Sequence, residues 1–427
     1  MSIYDNAGVA LIPSGTKASK LYSVLPANGD GDFNATRGST ATRVNKDGLI
    51  ESVATNVPRL DYPLIDGVVQ DCPALLLEPS RTNVAQRTEE FDNSYWTKTR
   101  AVVTANQAVS PDGSQTADKY RLDCTSNRSQ ISRVIYSVGT QYTTSLFVKY
   151  DSAKYFYIGN AGASAYRTVF DIENGTIIST GSSVDSSKIE NYGNGWYRCS
   201  ATFTAAYTTL YYKLSPNSNN ATFTNTTDFS YIWGAQIEAG SYQTSYISWD
   251  GSGTTTRSAD ACNGSGTSAD FNSAEGVLFA EMANLSNDGT EKRLGLQDSG
   301  TYETVRITYV PTANRITAVV YNGANQCVLN FDVPDTTDFN KIALKYKVND
   351  FALWVNGFEV GTDTNGSTFD ANQLDELAFD VNNGARVYAK TKQLMTFKTA
   401  LNDSELETLV SWDSFNAMAT GQLYTIE

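Results

Sequence analysis

The sequence predicts a mostly β protein: two antiparallel β-sandwich domains after an N-terminal turn-rich segment, with one short C-terminal helix. Three observations predict it. Val, Ile, Thr, Tyr, Phe and Trp recur in period-two runs separated by turns rich in Gly and Asn, the pattern of half-buried strands. Charged residues are only 18% of the chain, against roughly 25% in an average soluble domain, so the polar skin must be Ser, Thr, Asn, Gln and Gly. Finally, 427 residues exceed what one core organises, while 41% hydrophobic and 11% aromatic content supplies apolar matter for two.

Residues 1–85 are turn-rich ("PANGDGDFNATRGSTATRVNKDGLIES"), with one apolar run, Ala74 to Leu77, between Pro73 and Pro79. They read as an irregular or short-stranded segment lying against a neighbour. Residues 86–256 carry regular strand signals. In "QYTTSLFVKY", Tyr142, Thr144, Leu146 and Val148 alternate with Thr143, Ser145, Phe147 and Lys149. "VFDIENGTII" reads as two strands joined at Asn174-Gly175, a dipeptide that tolerates positive φ in a tight hairpin. "GNGWYRCSATFTA" is a strand with two coverable faces, and "FSYIWGAQIEAG" closes the set.

Residues 251–270, "GSGTTTRSADACNGSGTSAD", have the composition of a linker or surface crossing. A second strand-rich body then occupies 257–427. In "KIALKYKVNDFALWVNGFEVG", Ile342, Leu344, Tyr346 and Val348 alternate with lysines, and turns at Asn349-Asp350 and Asn356-Gly357 predict a meander with one solvated face. In "LNDSELETLVSW", Asn402 or Asp403 caps a helix, Glu405 supports its first turn, and Leu406, Leu409 and Val410 share a face.

Charge and composition narrow the function. A net charge of −14 repels a phosphate backbone, so nucleic acid is not an expected partner. The N-terminus lacks a basic flank and apolar core, and no apolar run of about 18 residues occurs, so a soluble chain with no membrane insertion and no export by the usual route is expected. Cys72, Cys124, Cys199, Cys262 and Cys327 lie far apart and read as free, mostly buried thiols. The chain has no histidine, which removes the commonest general base and the Ser-His-Asp triad.

Several strings resemble known families. "LIPSGTKASKLYSVLPANGDGDF", "RGSTATRVNKDGLIESVATNVPRLDY" and "CPALLLEPSRTN" resemble the N-terminal region of phage tail-fibre, head-fibre or receptor-binding proteins. "FDNSYW", "SPDG", "TAD", "GNGWYR" and "WGAQIEAGSYQTSYI" resemble the carbohydrate-binding-like sandwich of phage head-spike fibre proteins. "KIALKYKVNDFALWVNGFEVG" and "KQLMTFKTALNDSELETL" are similar to concanavalin-like or laminin-G-like jelly rolls. The resemblance implies a virion-surface appendage assembled in the bacterial host cytoplasm. Its 1–85 segment would attach to other virion proteins, its sandwiches would bind host-surface or environmental glycans, and the assembly would be a homotrimer. No heptad or collagen-like repeat marks an oligomer.

Candidate site residues follow from the need of a sugar for flat amphipathic rings beside polar or cationic groups. Among 25 tyrosines, "KYFYIG" places Tyr155 and Tyr157 on one strand face, Tyr166 and Arg167 follow, and "AAYTTLYYKL" offers Tyr207, Tyr211 and Tyr212. Sheet decoration by cross-strand Tyr pairs is the competing reading. Trp196, Trp233 and Trp354 are assigned to cores because they sit within alternating strands. No cofactor is expected; calcium is the one ion that the oxygen-rich turns "NGDGDFN", "DGT" and "TDTNGSTFDAN" could take, though "NGDGDFN" has Phe33 and Ser39 where a calcium hand needs Gly and Glu. The chain is not expected to be an enzyme and no catalytic residue is assigned. A purely structural appendage and a depolymerase using paired carboxylates, with Glu238 and Glu281 in strand contexts, are the alternatives.

Overall fold

The structure is a computed structural model that describes residues 3–124, 129–160, 164–218, 227–301, 303–381 and 386–411. Its regular structure is almost wholly antiparallel β-sheet, and the described residues contain one α-helix, Asp403–Val410. The first sandwich stacks two six-stranded sheets. One runs Thr97–Thr99, Ser129–Val134, Thr209–Ser215, Tyr155–Asn160, Arg167–Asp171, Thr176–Thr180 in spatial order. The other runs Ala101–Ala108, Ala117–Leu122, Phe229–Ala239, Gln141–Tyr150, Trp196–Thr204, Ser186–Asn191. Between them lie Phe91, Trp96, Leu146, Phe156, Ile158, Phe203, Tyr212 and Ile237. The hairpin predicted at Asn174-Gly175 joins Arg167–Asp171 to Thr176–Thr180, with Gly175 at φ +66°.

The second sandwich packs a five-stranded sheet (Ala324–Asp332, Arg315–Asn322, Thr304–Tyr309, Lys292–Gln297, Glu376–Ala378) on an eight-stranded one. The centre of the larger sheet pairs Glu275–Asn284 with Asn340–Lys347 on one side and Ala389–Phe397 on the other. The larger sheet also takes in strands from the N-terminal segment. Ala7–Leu11 and Ala74–Leu76 both pair with Ala389–Phe397, and Leu60–Asp61 pairs with Ala74–Leu76. Val9, Leu11, Leu75 and Leu77 accordingly share one apolar core with Leu278, Ile307 and Leu344.

Two expectations are corrected. The 251–270 passage is more than a surface crossing. Thr255–Arg257 pairs with Arg81–Asn83, Ala261–Asn263 pairs with Phe33–Thr36, and Arg257, Asp260 and Cys262 are buried. Composition missed this because the buried residues, Ser265 and Asp270 among them, lie singly between small, more exposed ones. The meander does not keep one solvated face either. Ala343, Ala352 and Trp354 form a second apolar layer with Leu401, Leu406, Leu409 and Val410 of the C-terminal helix. Of the lysines that signalled solvent, Lys341 donates to Ser411 O at the end of that helix at 3.0 Å, and Lys345 reaches Asp350 in the strand-connecting turn at 2.6 Å. The helix itself starts as predicted, with Asn402 Oδ1 accepting from Glu405 N at 3.1 Å and Glu405 Oε2 accepting from Asn402 N at 2.9 Å.

The stretch "WGAQIEAGSYQTSYI" buries its tryptophan as assigned. Trp233 lies on the outer side of its sheet rather than between the sheets, in a cluster with Ile50, Phe147, Trp196 and Tyr246. The small residues after the strand let the chain fold back over that face, where Tyr246 packs on Trp233 with ring centroids 4.5 Å apart. Gly234, at φ +69°, makes this possible, since a Cβ there would lie 2.9 Å from the Phe147 ring. Glu238, with no exposed surface, fastens the return by accepting from Thr244 N at 2.8 Å and Thr244 Oγ1 at 2.7 Å.

Candidate functional site

Strand register decides what each candidate tyrosine can touch. Tyr155, Tyr157 and Gly159 point to the outer face of the first sheet, where Tyr157 lies opposite Lys213 and Val169, and Gly159 opposite Tyr211 and Arg167. The structure therefore gathers Tyr155, Tyr157, Arg167 and Tyr211 on one face. Tyr212, the neighbour of Tyr211, faces the other way: it stacks on Phe156 at 5.9 Å inside the sandwich, and burial raises its phenol pKa well above the ordinary value. Tyr212 is thus a core residue, a correction that period two alone foretells, because adjacent strand residues cannot share a face.

Tyr157 and Tyr211 are also withdrawn from any ligand, at 0% and 1% exposure. The Tyr157 hydroxyl is directed at Asn217 O (3.0 Å) and Ser218 O (2.9 Å), and the Lys213 ammonium sits 4.0 Å above the Tyr211 ring. Their rings carry the weight of covering groups rather than offering a free face. Tyr155 is half-buried beside Lys154, whose ammonium bridges Asp171 at 3.2 Å and Glu173 at 2.8 Å.

What remains accessible is at the end of the sheet. Tyr207 is 46% exposed and meets half-buried Tyr166 edge to face, with centroids 6.1 Å apart. Arg167, half-buried, follows Tyr166 and holds its guanidinium 6.0 Å from the Tyr157 ring; it makes no ion pair among the described residues. The turn carrying Tyr207 is fixed by Asn160, a fully buried side chain. Its amide donates to Tyr207 O at 2.7 Å and Thr209 O at 3.0 Å, and its carbonyl accepts from Ala206 N at 3.1 Å and Tyr207 N at 2.8 Å. Every donor and acceptor of that amide is used to hold one turn. Sequence reading missed Asn160; a lone polar residue ending the apolar run "YFYIG" was the available signal.

Other stacked cation–aromatic pairs were not foreseen: Arg87 over Trp249 at 4.2 Å and Arg133 over Tyr95 at 3.9 Å. Trp196 and Trp354 are buried, as assigned. The carboxylates considered for catalysis have structural occupations. Glu238 is engaged with Thr244 and Gln236, and Glu281, 6% exposed, lies 3.6 Å from Lys392. Asp118 of the "TAD" string accepts from Phe91 N at 2.7 Å and Asn106 N at 3.0 Å, and burial pushes its pKa up to about 6.

The "NGDGDFN" oxygens do not converge. Asp32 Oδ1 accepts from Ser23 N at 3.0 Å, whereas Asp30 Oδ2 accepts from Asn28 Nδ2 at 2.6 Å. Among the described residues no group of three or more Asp, Glu, Cys or His side chains is arranged to hold a metal ion. Of the thiols, Cys199, Cys262 and Cys327 are buried and Cys72 is exposed.

No family model matches this chain. No curated protein matches it either. Among solved structures it is similar to the CBM40 module of the Ruminococcus gnavus IT-sialidase bound to α2,3-sialyllactose, at 16% identity and TM-score 0.28 over 33% of this chain and 83% of that one. It is similar to domains LG4-5 of the mouse laminin α1 chain at 11% identity and TM-score 0.22, over 75% and 88% of the two chains. A third is the Trypanosoma rangeli sialidase, at 9% identity and TM-score 0.29 over 92% and 78%.

Proposed function

We propose that this chain is a surface appendage of a phage particle whose first sandwich binds glycans of the host surface or its surroundings. The binding point in this reading is the ledge formed by Tyr166 and Tyr207 beside Arg167. The observation that carries it is the exposed Tyr207 ring, met edge-on by Tyr166, on a turn whose backbone makes four hydrogen bonds with the buried Asn160 side chain. A preset aromatic face takes the apolar C–H side of a sugar ring at little ordering cost, and Arg167 is placed to meet hydroxyl or acidic groups. One such ledge binds weakly, so several copies on one particle would supply the avidity. The phage role, the docking of residues 1–85 on other virion proteins and the homotrimer rest on the sequence strings quoted above.

A purely structural appendage is the second reading, and one observation favours it: the central tyrosines of the same sheet face, Tyr157 and Tyr211, are covered. A glycan array probed with the full chain and with Tyr207→Ala separates the two. Binding that Tyr207→Ala abolishes supports the ledge; an array silent for the full chain favours the structural role. Immunogold electron microscopy of virions with antibody against the chain tests the particle-surface assignment.

A further inference from the structure

A loop on the rim of the second sandwich has the spacing of a cation loop. Asn284, Ser286 and Asp288 occupy alternate positions, Gly289 follows at φ +74°, and Thr290 presents its carbonyl. Oxygen side chains at alternate positions, then a glycine turn and a backbone carbonyl, are how calcium loops are built. The loop departs from that pattern in charge, since Asp288 is its one carboxylate between residues 284 and 290.

The side chain of Lys292, 1% exposed, enters this loop from the start of the strand Lys292–Gln297. Its ammonium lies 2.8 Å from Asp288 Oδ1 and 3.5 Å from Thr290 O. Burial alone would raise the Asp288 pKa, but the hydrogen bonds from Lys292 and Thr290 outweigh it and hold the carboxylate below its ordinary range. Two further oxygens line the same notch: Asn284 Oδ1, on a residue 5% exposed, and Ser286 Oγ. Both are buried and meet no hydrogen-bond donor among the described residues. The notch has no room for a sugar ring; it suits one small species. One carboxylate also balances one ammonium, whereas a divalent ion would leave excess positive charge in a half-enclosed site beside Arg315.

We propose that the loop 284–292 is a cation site whose cation is the chain's own: the Lys292 ammonium supplies, at Asp288 and Thr290, the positive charge that a divalent metal would bring, and it orders the rim without metal. The wild-type rim is then indifferent to calcium, and calcium binding is restored by withdrawing the lysine and supplying a second carboxylate.

The test compares the full chain with Lys292→Ala/Asn284→Asp by thermal unfolding in millimolar calcium chloride or EDTA, and by terbium luminescence sensitised through Tyr309. The wild type should unfold at one temperature in both buffers and give no terbium signal that Asp288→Asn removes. The double variant should gain a terbium signal displaced by calcium, with affinity on the order of 10⁻⁴ to 10⁻³ M. A calcium-dependent rise in the wild-type unfolding temperature that Asp288→Asn abolishes overturns the proposal, as does a folded double variant that binds no terbium. Should the double variant not fold, Lys292→Met puts the same question: its unfolding temperature should fall and recover in calcium, and a fall without recovery overturns the assignment.

Discussion

Arg59 and Glu78 meet with Arg59 Nη1 2.6 Å from Glu78 Oε2, and both side chains are sealed from solvent. They anchor a larger buried network. Arg59 also pairs with Asp260, which lies 3.0 Å from Arg37 Nη1, while Arg257 Nη1 lies 2.8 Å from Glu78 Oε2. Ser245, just beyond the last strand of the first sandwich, donates to Glu78 from its backbone N at 2.7 Å and from Oγ at 2.6 Å. The network thus joins the N-terminal segment, the end of the first sandwich and the passage into the second at one point. Surplus arginine charge is spread over backbone carbonyls: Arg37 donates to Ser39 O, Val57 O, Val53 O and Ala54 O.

Removing one partner leaves the others buried and unbalanced. Arg59→Met should therefore cost about 3–5 kcal/mol, read from urea unfolding of the full chain. A loss of under about 1 kcal/mol, the range of exposed ion pairs, would contradict the closed network.

The same network sets an acid response. Burial by itself would raise the Glu78 pKa, but Arg257, Arg59 and the Ser245 hydrogen bonds outweigh it and hold the carboxylate far below its ordinary range. A carboxylate depressed in the folded state stabilises fully above its unfolded pKa, near 4.5, and that contribution is lost as the pH falls through and below it. Glu78→Gln, less stable at neutral pH, should lose less stability than wild type on acidification below that point. Parallel stability curves for the two proteins would sink the assignment.

Asp118 works in the opposite sense. Its folded pKa, pushed up by burial to about 6, makes its contribution largest in acid and smaller as the pH rises through that value. Asp118→Ala leaves Phe91 N and Asn106 N without their acceptor and should cost about 1–3 kcal/mol. The cost should be greater at mildly acidic than at neutral pH, as measured by denaturant unfolding in the two buffers.

Tyr207 and Tyr212 should respond differently to truncation. Tyr212→Ala opens the core between the sheets and should cost about 3–5 kcal/mol, the range for large aromatic side chains. Tyr207→Ala, at an exposed turn, should leave stability within about 0.5 kcal/mol. Equal losses would mean that Tyr207 is packing and not a ledge.

Asn402→Ala removes the acceptor for Glu405 N at the start of the C-terminal helix. It should cost about 1 kcal/mol and expose the Trp354 layer, visible as a change in tryptophan fluorescence. An unchanged stability and spectrum would show that packing alone holds the helix.

The amino-acid sequence by itself determined the local elements of this protein. Period-two alternation placed strands, Asn174-Gly175 and Asn356-Gly357 placed turns, and Asn402 with Glu405 placed a helix start, because each depends on neighbours a few residues away. Tertiary structure alone decided which faces are covered. Alternation groups Tyr155 with Tyr157 but is silent on whether a distant segment lies over them. The same is true of Trp233, hidden by its own returning chain, and of the lysine-bearing meander, hidden by the helix. The buried arginines escaped sequence reading for a related reason: Arg59 and Asp260, 201 residues apart, become compatible with burial only where folding brings their charges together.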